Sequence, residues 1–295
     1  MSASEALRSG PVLARRFDPS QWGQRLALRH WRPAIAPALL LGFFVLASLL
    51  APLLAPYDPN VLAMDKLLAG ASWEHPLGTD QLGRDMLSRL LYGGRMTLSL
   101  AVVSAAGIVL IGLLFGVLAG YAGGYVDLII STLLTMLLAL PNLLLTLALL
   151  GILGPGTQSL LIALIGAGWV GHARIFRAQI LSLREQLYVE AAVGIGCSPW
   201  RIILRHLAPN LLPTIIVLAT LDLGALLLIV TSLSFLGLGV QPPNPDWGVM
   251  LNDARPYFGQ LPLLILGPGV CITLTALSSN LLGDAIRDLA DRAHR

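Results

Sequence analysis

The sequence predicts an all-α, polytopic membrane protein with six transmembrane helices. Three observations carry that prediction. Charged residues make up 12% of the 295 positions and hydrophobic ones 56%, whereas a soluble domain carries about 25% charged residues. The mean hydropathy is +0.76. Apolar runs long enough to cross about 30 Å of hydrocarbon recur six times. Backbone polar groups in lipid must be satisfied within such a run, which makes each run a helix.

The first run, 34–55, follows a polar, arginine-bearing segment, 1–33. It is too long for a secretory signal core and reads as a retained anchor, ended by Pro56 and Pro59. The segment 56–96 is polar, and Asp85 and Arg89, spaced i and i+4, suit an ion pair on a short amphipathic helix. The second run, 97–120, carries Gly112 and Gly116, small residues that favour close helix packing, and Gly123-Gly124 breaks the chain after it. The third, 126–151, opens on Asp127, whose charge the helix dipole favours by about 0.3–1 kcal/mol. Pro141 predicts a kink, with Asn142 satisfying a freed backbone group. Gly154-Pro155-Gly156 turns into the fourth run, 158–177, which holds Gly166, Gly168 and His172; the histidine either packs or faces a cavity. The fifth, 211–236, contains Asp222, and the sixth, 262–283, leads to a polar tail, 284–295.

Arginine placement sets the expected orientation. Arg8, Arg15, Arg16, Arg25, Arg29 and Arg32 precede the first run; Arg174, Arg177, Arg184, Arg201 and Arg205 surround the fourth connection; Arg287, Arg292 and Arg295 end the chain. The other side keeps Lys66 (the only lysine), Arg84, Arg89, Arg95 and Arg255. Both termini and the connection at 182–210 are therefore expected in the cytoplasm. Such scattered arginines form no basic face for nucleic acid. The two cysteines, Cys197 and Cys271, imply neither a disulfide framework nor a metal site.

The connection at 182–210 is the unusual element. Ser182-Leu183-Arg184-Glu185 has the pattern of a capping box. Gly194 and Gly196 suit a helix end, and Ser198-Pro199 suits a restart, with serine as N-cap and proline at the first helical position. Pro209 is expected to close the second short helix. Thirty residues far exceed the usual loop of about 4–6, and Ala191 and Ala192 leave the backbone approachable. Trp200, Ile203 and Leu207 offer apolar anchors beside Arg201 and Arg205. Two readings fit: a docking surface for another protein, or a helix pair lying flat on lipid headgroups.

The stretch "EAAVGIGCSPWRIILRHLAPN", Glu190 to Asn210, resembles the EAA signature of ABC importer permeases: Glu-Ala-Ala, then Gly196, then a proline, here Pro209, with Ala208 where leucine is common. "LGTDQLGRDMLSRLLYGGRMTL" from Leu77, "SFLGLGVQPPNPDWGVMLNDARPY" from Ser234 and "LLGDAIRDLADR" from Leu281 are similar to the C-type permease of the dipeptide, oligopeptide and nickel importers. The resemblance implies a MetI-like permease fold, with a permease core over 97–283. It implies that Glu190, Ala191, Ala192, Gly196, Ser198, Trp200, Arg201, Ile203, Arg205 and Pro209 couple the chain to a cytoplasmic ATPase. It also implies a second related permease, two ATPase subunits that hold ATP and Mg²⁺, an extracytoplasmic solute-binding protein and a bacterial inner-membrane location. "LATLDLG" from Leu218, "NDARPY" from Asn252, and Val230 where many peptide permeases carry glutamate resemble the nickel and metal-chelate branch.

The chain lacks a nucleotide site of its own, since Lys66 sits between Asp65 and Leu67 rather than after a glycine-rich turn and before Ser or Thr. It carries neither a His-Glu-x-x-His nor a Gly-x-Ser-x-Gly motif, so a membrane-embedded enzyme has no nucleophile and base to use, and no metal site is expected. A charge at mid-bilayer costs about 2.5–3.5 kcal/mol on insertion scales. Asp222 therefore either lines a translocation path, with Ser232 and Ser234 further along the same run, or holds two helices together. An ion-coupled secondary transporter using Asp222 is the alternative function. Asp80, Arg84, Asp85, Trp247, Asn252, Asp253 and Arg255 are expected at an outward gate or binding-protein contact, with Trp247 at the membrane interface.

Overall fold

The structure, a computed structural model, describes residues 32–293. The expected N-terminal segment lies almost wholly outside the described residues, as do His294 and Arg295. Among the described residues eleven α-helices follow one another: α1 (Arg32–Leu49), α2 (Ala51–Leu54), α3 (Met86–Ala122), α4 (Gly124–Leu138), α5 (Asn142–Leu153), α6 (Thr157–Arg184), α7 (Leu187–Gly194), α8 (Pro199–Ile202), α9 (Ala208–Phe235), α10 (Trp247–Ala254) and α11 (Leu263–Ala293).

Among the described residues, four helices are long and apolar enough to span a membrane: α3, α6, the unit Pro199–Phe235 and most of α11. A fifth span exists if α4 and α5 count as one. The apolar part of α1, Ala34–Leu49, is shorter, about 24 Å at 1.5 Å per residue. At 37 residues α3 is about 55 Å long. It therefore projects well beyond the hydrocarbon, which a run of apolar residues could not reveal.

Three local expectations are overturned. Ser182 caps nothing: it lies within α6, and Gln186 stands at the N-cap of α7. Pro209 does not end a helix. Residues Ile203–Leu207 form a π-turn that runs directly into α9. A wider turn tolerates a proline that can neither donate to the preceding turn nor clear its carbonyl. Pro141 does more than kink the third span, because α4 and α5 meet at 89°. Proline disfavours helical geometry in the residue before it, and α4 ends at Leu138, three residues before Pro141. Asn142 contributes its carbonyl, which accepts from Thr146 Oγ1 at 2.9 Å.

Close packing of α3 on α6 forms the spine of the fold. A Cβ on Gly112 would lie 2.6 Å from His172 Cβ, one on Gly116 2.6 Å from Phe176 Cβ, and one on Gly120 2.7 Å from Ile180 Cγ2. Glycine at every fourth position lets the two backbones touch along three turns. Asp127 is more than a dipole partner: Arg177 donates through Nε and Nη2 to both its oxygens, the second at 2.7 Å. This clasp fixes the start of α4 to the far end of α6.

Candidate coupling hairpin and translocation path

The hairpin between α6 and α9 is held by its glycines and its buried side. After α7 the Cys197 N–H donates to Ala192 O at 3.0 Å and the Gly196 N–H to Val193 O at 2.9 Å, with Gly196 at φ +80°. This is a Schellman ending, and its positive φ favours glycine. Ser198 follows in extended geometry with Pro199 first in α8, and its side chain makes no capping bond. Val189, Ala192, Ile202, Leu207 and Leu211 bury against Ile180 and the last turns of α3. Leu207 is thus a core residue and Ile203 is half-buried. The apolar side chains left outside are Leu187, Ile195 and Trp200, 83%, 82% and 72% exposed, with Val193 and Leu204. Glu190, Ala191, Gly196, Ser198, Arg201, Arg205 and Pro209 are exposed beside them, whereas Ala192 faces inward.

A second feature lies between the spans. The α4–α5 break, α6 and α9 surround a cavity of about 380 Å³ lined by Leu138, Asn142, Gly168, His172, Leu218 and Asp222, among others. His172 Nε2 stands 2.7 Å from Asp222 Oδ2. The two atoms are within ion-pair distance, neither has a hydrogen-bond partner among the described residues, and both are shielded from solvent. Irregular backbone at membrane depth is tolerated where it lines such a cavity. Ser232 and Ser234 do not line it. Ser232 is exposed, and Ser234 is buried under the outer loop, accepting from Val240 N at 3.4 Å.

At the other end of α3 the expected gate residues form an internal lattice. Asp80 Oδ2 pairs with Arg84 Nε at 2.6 Å and Arg89 Nε at 3.3 Å, and Asp253 Oδ2 pairs with Arg84 Nη2 at 3.5 Å. Arg89 also donates to Pro59 O at 3.2 Å. Asp85 does not pair with Arg89. Its side chain folds back over the start of α3, accepting from Ser88 N at 2.8 Å, and meets His75 Nδ1 at 2.9 Å. Trp247 sits at no interface: it is 1% exposed, its Nε1 donates to Leu90 O at 2.9 Å, and Gly94 makes room for its ring. Asp246 caps α10 and accepts from Thr97 Oγ1 at 2.6 Å. Burial pushes the Asp246 carboxyl above the ordinary carboxylate range, and the bonds from Thr97 and the backbone pull against it. Asp80, Arg84, Asp85 and Trp247 therefore hold the lip together from within, while Asn252 and Arg255 remain on its surface and Asp253 is half-buried.

The profile of the family described as binding-protein-dependent transport system inner membrane component matches residues 112–295, which include the hairpin and the cavity. The chain belongs to this family. It is similar to the nickel transport system permease protein NikC of Escherichia coli K12, 36% identical over 93% of this chain and 96% of that one. It is also similar to the dipeptide transport system permease protein DppC of Alkalihalophilus pseudofirmus, 39% identical over 93% of both. The fold resembles that in an inward-facing crystal structure of the MetNI methionine ABC transporter, at 22% identity and a TM-score of 0.55, covering 69% of this chain and 97% of that one. This chain is accordingly an all-α, inner-membrane permease subunit of an ABC importer.

Sequence reasoning missed two things about this permease. The contact between His172 and Asp222 was invisible because the residues lie on different spans; the signal available was two ionisable groups within apolar runs, His172 near the inner end of the fourth and Asp222 inside the fifth. The outward face of the hairpin was misassigned in part because Ile203 and Leu204 are both apolar. Only the π-turn settles which of them points away.

Proposed function

We propose that this permease is one half of the pore of an ATP-driven importer, with six spans counting α1 and the broken pair. Both termini and the hairpin face the cytoplasm and the lip faces outward, as arginine placement favours. A second related permease completes the pore, two ATPase subunits carrying ATP and Mg²⁺ dock under the hairpin, and a solute-binding protein delivers cargo to the lip. The cargo is a peptide, nickel or a metal chelate, the classes named for the relatives.

One observation carries this reading: the connection between Arg184 and Ala208 keeps an ordered Schellman turn while leaving Leu187, Ile195 and Trp200 outside any core. Exposed apolar side chains on an ordered turn suit a protein groove. The hairpin continues directly into α6 and α9, which Gln179 and Thr214 tie together at 2.6 Å and which carry His172 and Asp222 further along. Closure of the ATPases then tilts two rods whose middle parts wall the cavity, a rigid-body switch of packed helices. Residues Glu190, Ala191, Gly196, Trp200, Arg201 and Arg205 are the coupling surface, and Asp222 belongs to the path.

Uptake into proteoliposomes containing the whole importer tests this. Accumulation that requires ATP on the ATPase side and is lost in Gly196→Asp, with assembly retained, is expected. Accumulation driven by an ion gradient without ATP would instead favour a secondary transporter working through Asp222.

A further inference from the structure

We propose that His172 and Asp222 form a transit site for a divalent transition-metal ion, bare or chelated, in the cavity beside the α4–α5 break. The inference rests on reading that cavity as part of the path. An imidazole nitrogen and a carboxylate oxygen lie 2.7 Å apart, both shielded from solvent, and neither is committed to a hydrogen bond among the described residues. Such atoms have lone pairs to offer a third atom, and the cavity of about 380 Å³ next to them has room for it.

The spacing excludes an alkylammonium group held between the two atoms. Two donors about 2.1 Å from one metal ion and at right angles lie about 3 Å apart. Two acceptors about 2.8 Å from the nitrogen of an alkylammonium group, along tetrahedral directions, lie about 4.6 Å apart. The observed 2.7 Å lies a little below the first value and far below the second, and it is also the distance of a charge-assisted N–H···O⁻ contact, so a metal ion bound here takes the place of the proton between the two atoms. An imidazole with a carboxylate suits nickel, copper or zinc better than magnesium or calcium. The break contributes both a helix C-terminus at Leu138 and an N-terminus at Asn142, whose partial charges oppose each other. Asp222 therefore sets the sign of the site. Among the described residues no third His, Cys, Asp or Glu completes a metal cluster. Two protein donors leave the other positions to water or chelator, so the ion can leave as readily as it enters.

Gly112 belongs to the construction. Its missing Cβ is what allows His172 to approach α3, since the two Cβ atoms would otherwise lie 2.6 Å apart.

The test is equilibrium titration of the full chain, assembled with its partner permease in lipid nanodiscs and freed of any affinity tag, with NiCl₂ alone. Co²⁺ absorption in the visible provides a second readout of imidazole ligation. The expected result is one Ni²⁺ site per chain that weakens at least about tenfold in both His172→Gln and Asp222→Asn, as much as losing even an outer-shell partner costs. Asp222→Glu should keep measurable binding, and glycylglycine titrations should not depend on either residue. Unfolding midpoints show whether each variant is intact. Ni²⁺ affinity unchanged in intact His172→Gln and Asp222→Asn would overturn the proposal, as would dipeptide binding that falls as far as metal binding. The titration needs no ATPase. Lost metal dependence with ATP-driven uptake intact removes this inference alone, and intact metal dependence without ATP-driven uptake removes the importer reading alone.

Discussion

Replacing Gly116 with alanine pits two effects of known sign against each other. Alanine in a helix is favoured over glycine by about 1 kcal/mol. At Gly116, however, the new methyl carbon would lie 2.6 Å from Phe176 Cβ, 2.8 Å from Ala173 O and 3.1 Å from Arg177 N. Two of these atoms are backbone and the third is anchored to it, so no flexible side chain can yield. Helices α3 and α6 must separate by most of an ångström, and overpacking of this kind costs about 1–3 kcal/mol. The propensity gain is common to any helical Gly→Ala change, so Gly116→Ala should be less stable than an uncrowded Gly→Ala variant by about 1–3 kcal/mol. Gly151 in α5 has nothing within 4 Å of its would-be Cβ, so Gly151→Ala keeps the propensity gain of about 1 kcal/mol and should be stabilising. Denaturant unfolding of the two purified variants in one detergent reads the difference. If Gly116→Ala is as stable as Gly151→Ala, the close approach of α3 and α6 is not what holds this bundle together.

Other changes should behave as follows. Trp247→Ala removes a fully buried ring and its hydrogen bond to Leu90 O, and should cost about 3–5 kcal/mol; a near-wild-type unfolding midpoint would contradict the packed lip. Asp253→Ala leaves Arg84 and Arg89, both buried, sharing Asp80 alone, so proteolysis of the segment before α3 should accelerate; an unchanged digestion pattern would deny that the lip is one unit. Asp127→Arg and Arg177→Asp should each impair uptake, and the double exchange should restore part of it; a double variant no better than the singles would make the clasp incidental. Alanine at Leu187, Ile195 or Trp200 should weaken ATPase binding without affecting unfolding, since none of the three packs in the core.

Much of this architecture could be read from apolar run lengths and from glycine and proline positions. The turn at Gly194–Gly196 and the restart at Ser198-Pro199 follow from local geometry that only a few residue types adopt. Features decided by contacts between distant residues could not be read. Trp247, expected at an interface, is drawn into the core because Gly93 and Gly94 leave a slot for it some 150 positions earlier. Asp85 and Arg89 have the spacing of a helical pair, yet the capping role of Asp85 turns its carboxylate back over the helix start. Pro141 and Pro209 show the limits of a local rule. One breaks its span and the other is absorbed by a π-turn, and the tertiary surroundings decide which.

The central claim is that the hairpin is the contact through which ATPase motion reaches the spans. Single cysteines in place of Ala191 and of Trp200, in a chain whose Cys197 and Cys271 are replaced by serine, can be cross-linked within the assembled importer with and without ATP. The account predicts disulfides to cysteines on the ATPase at both positions, with yields that change on ATP binding. Labelling of both positions by a lipid-soluble probe, with no ATPase adduct in either state, would contradict it.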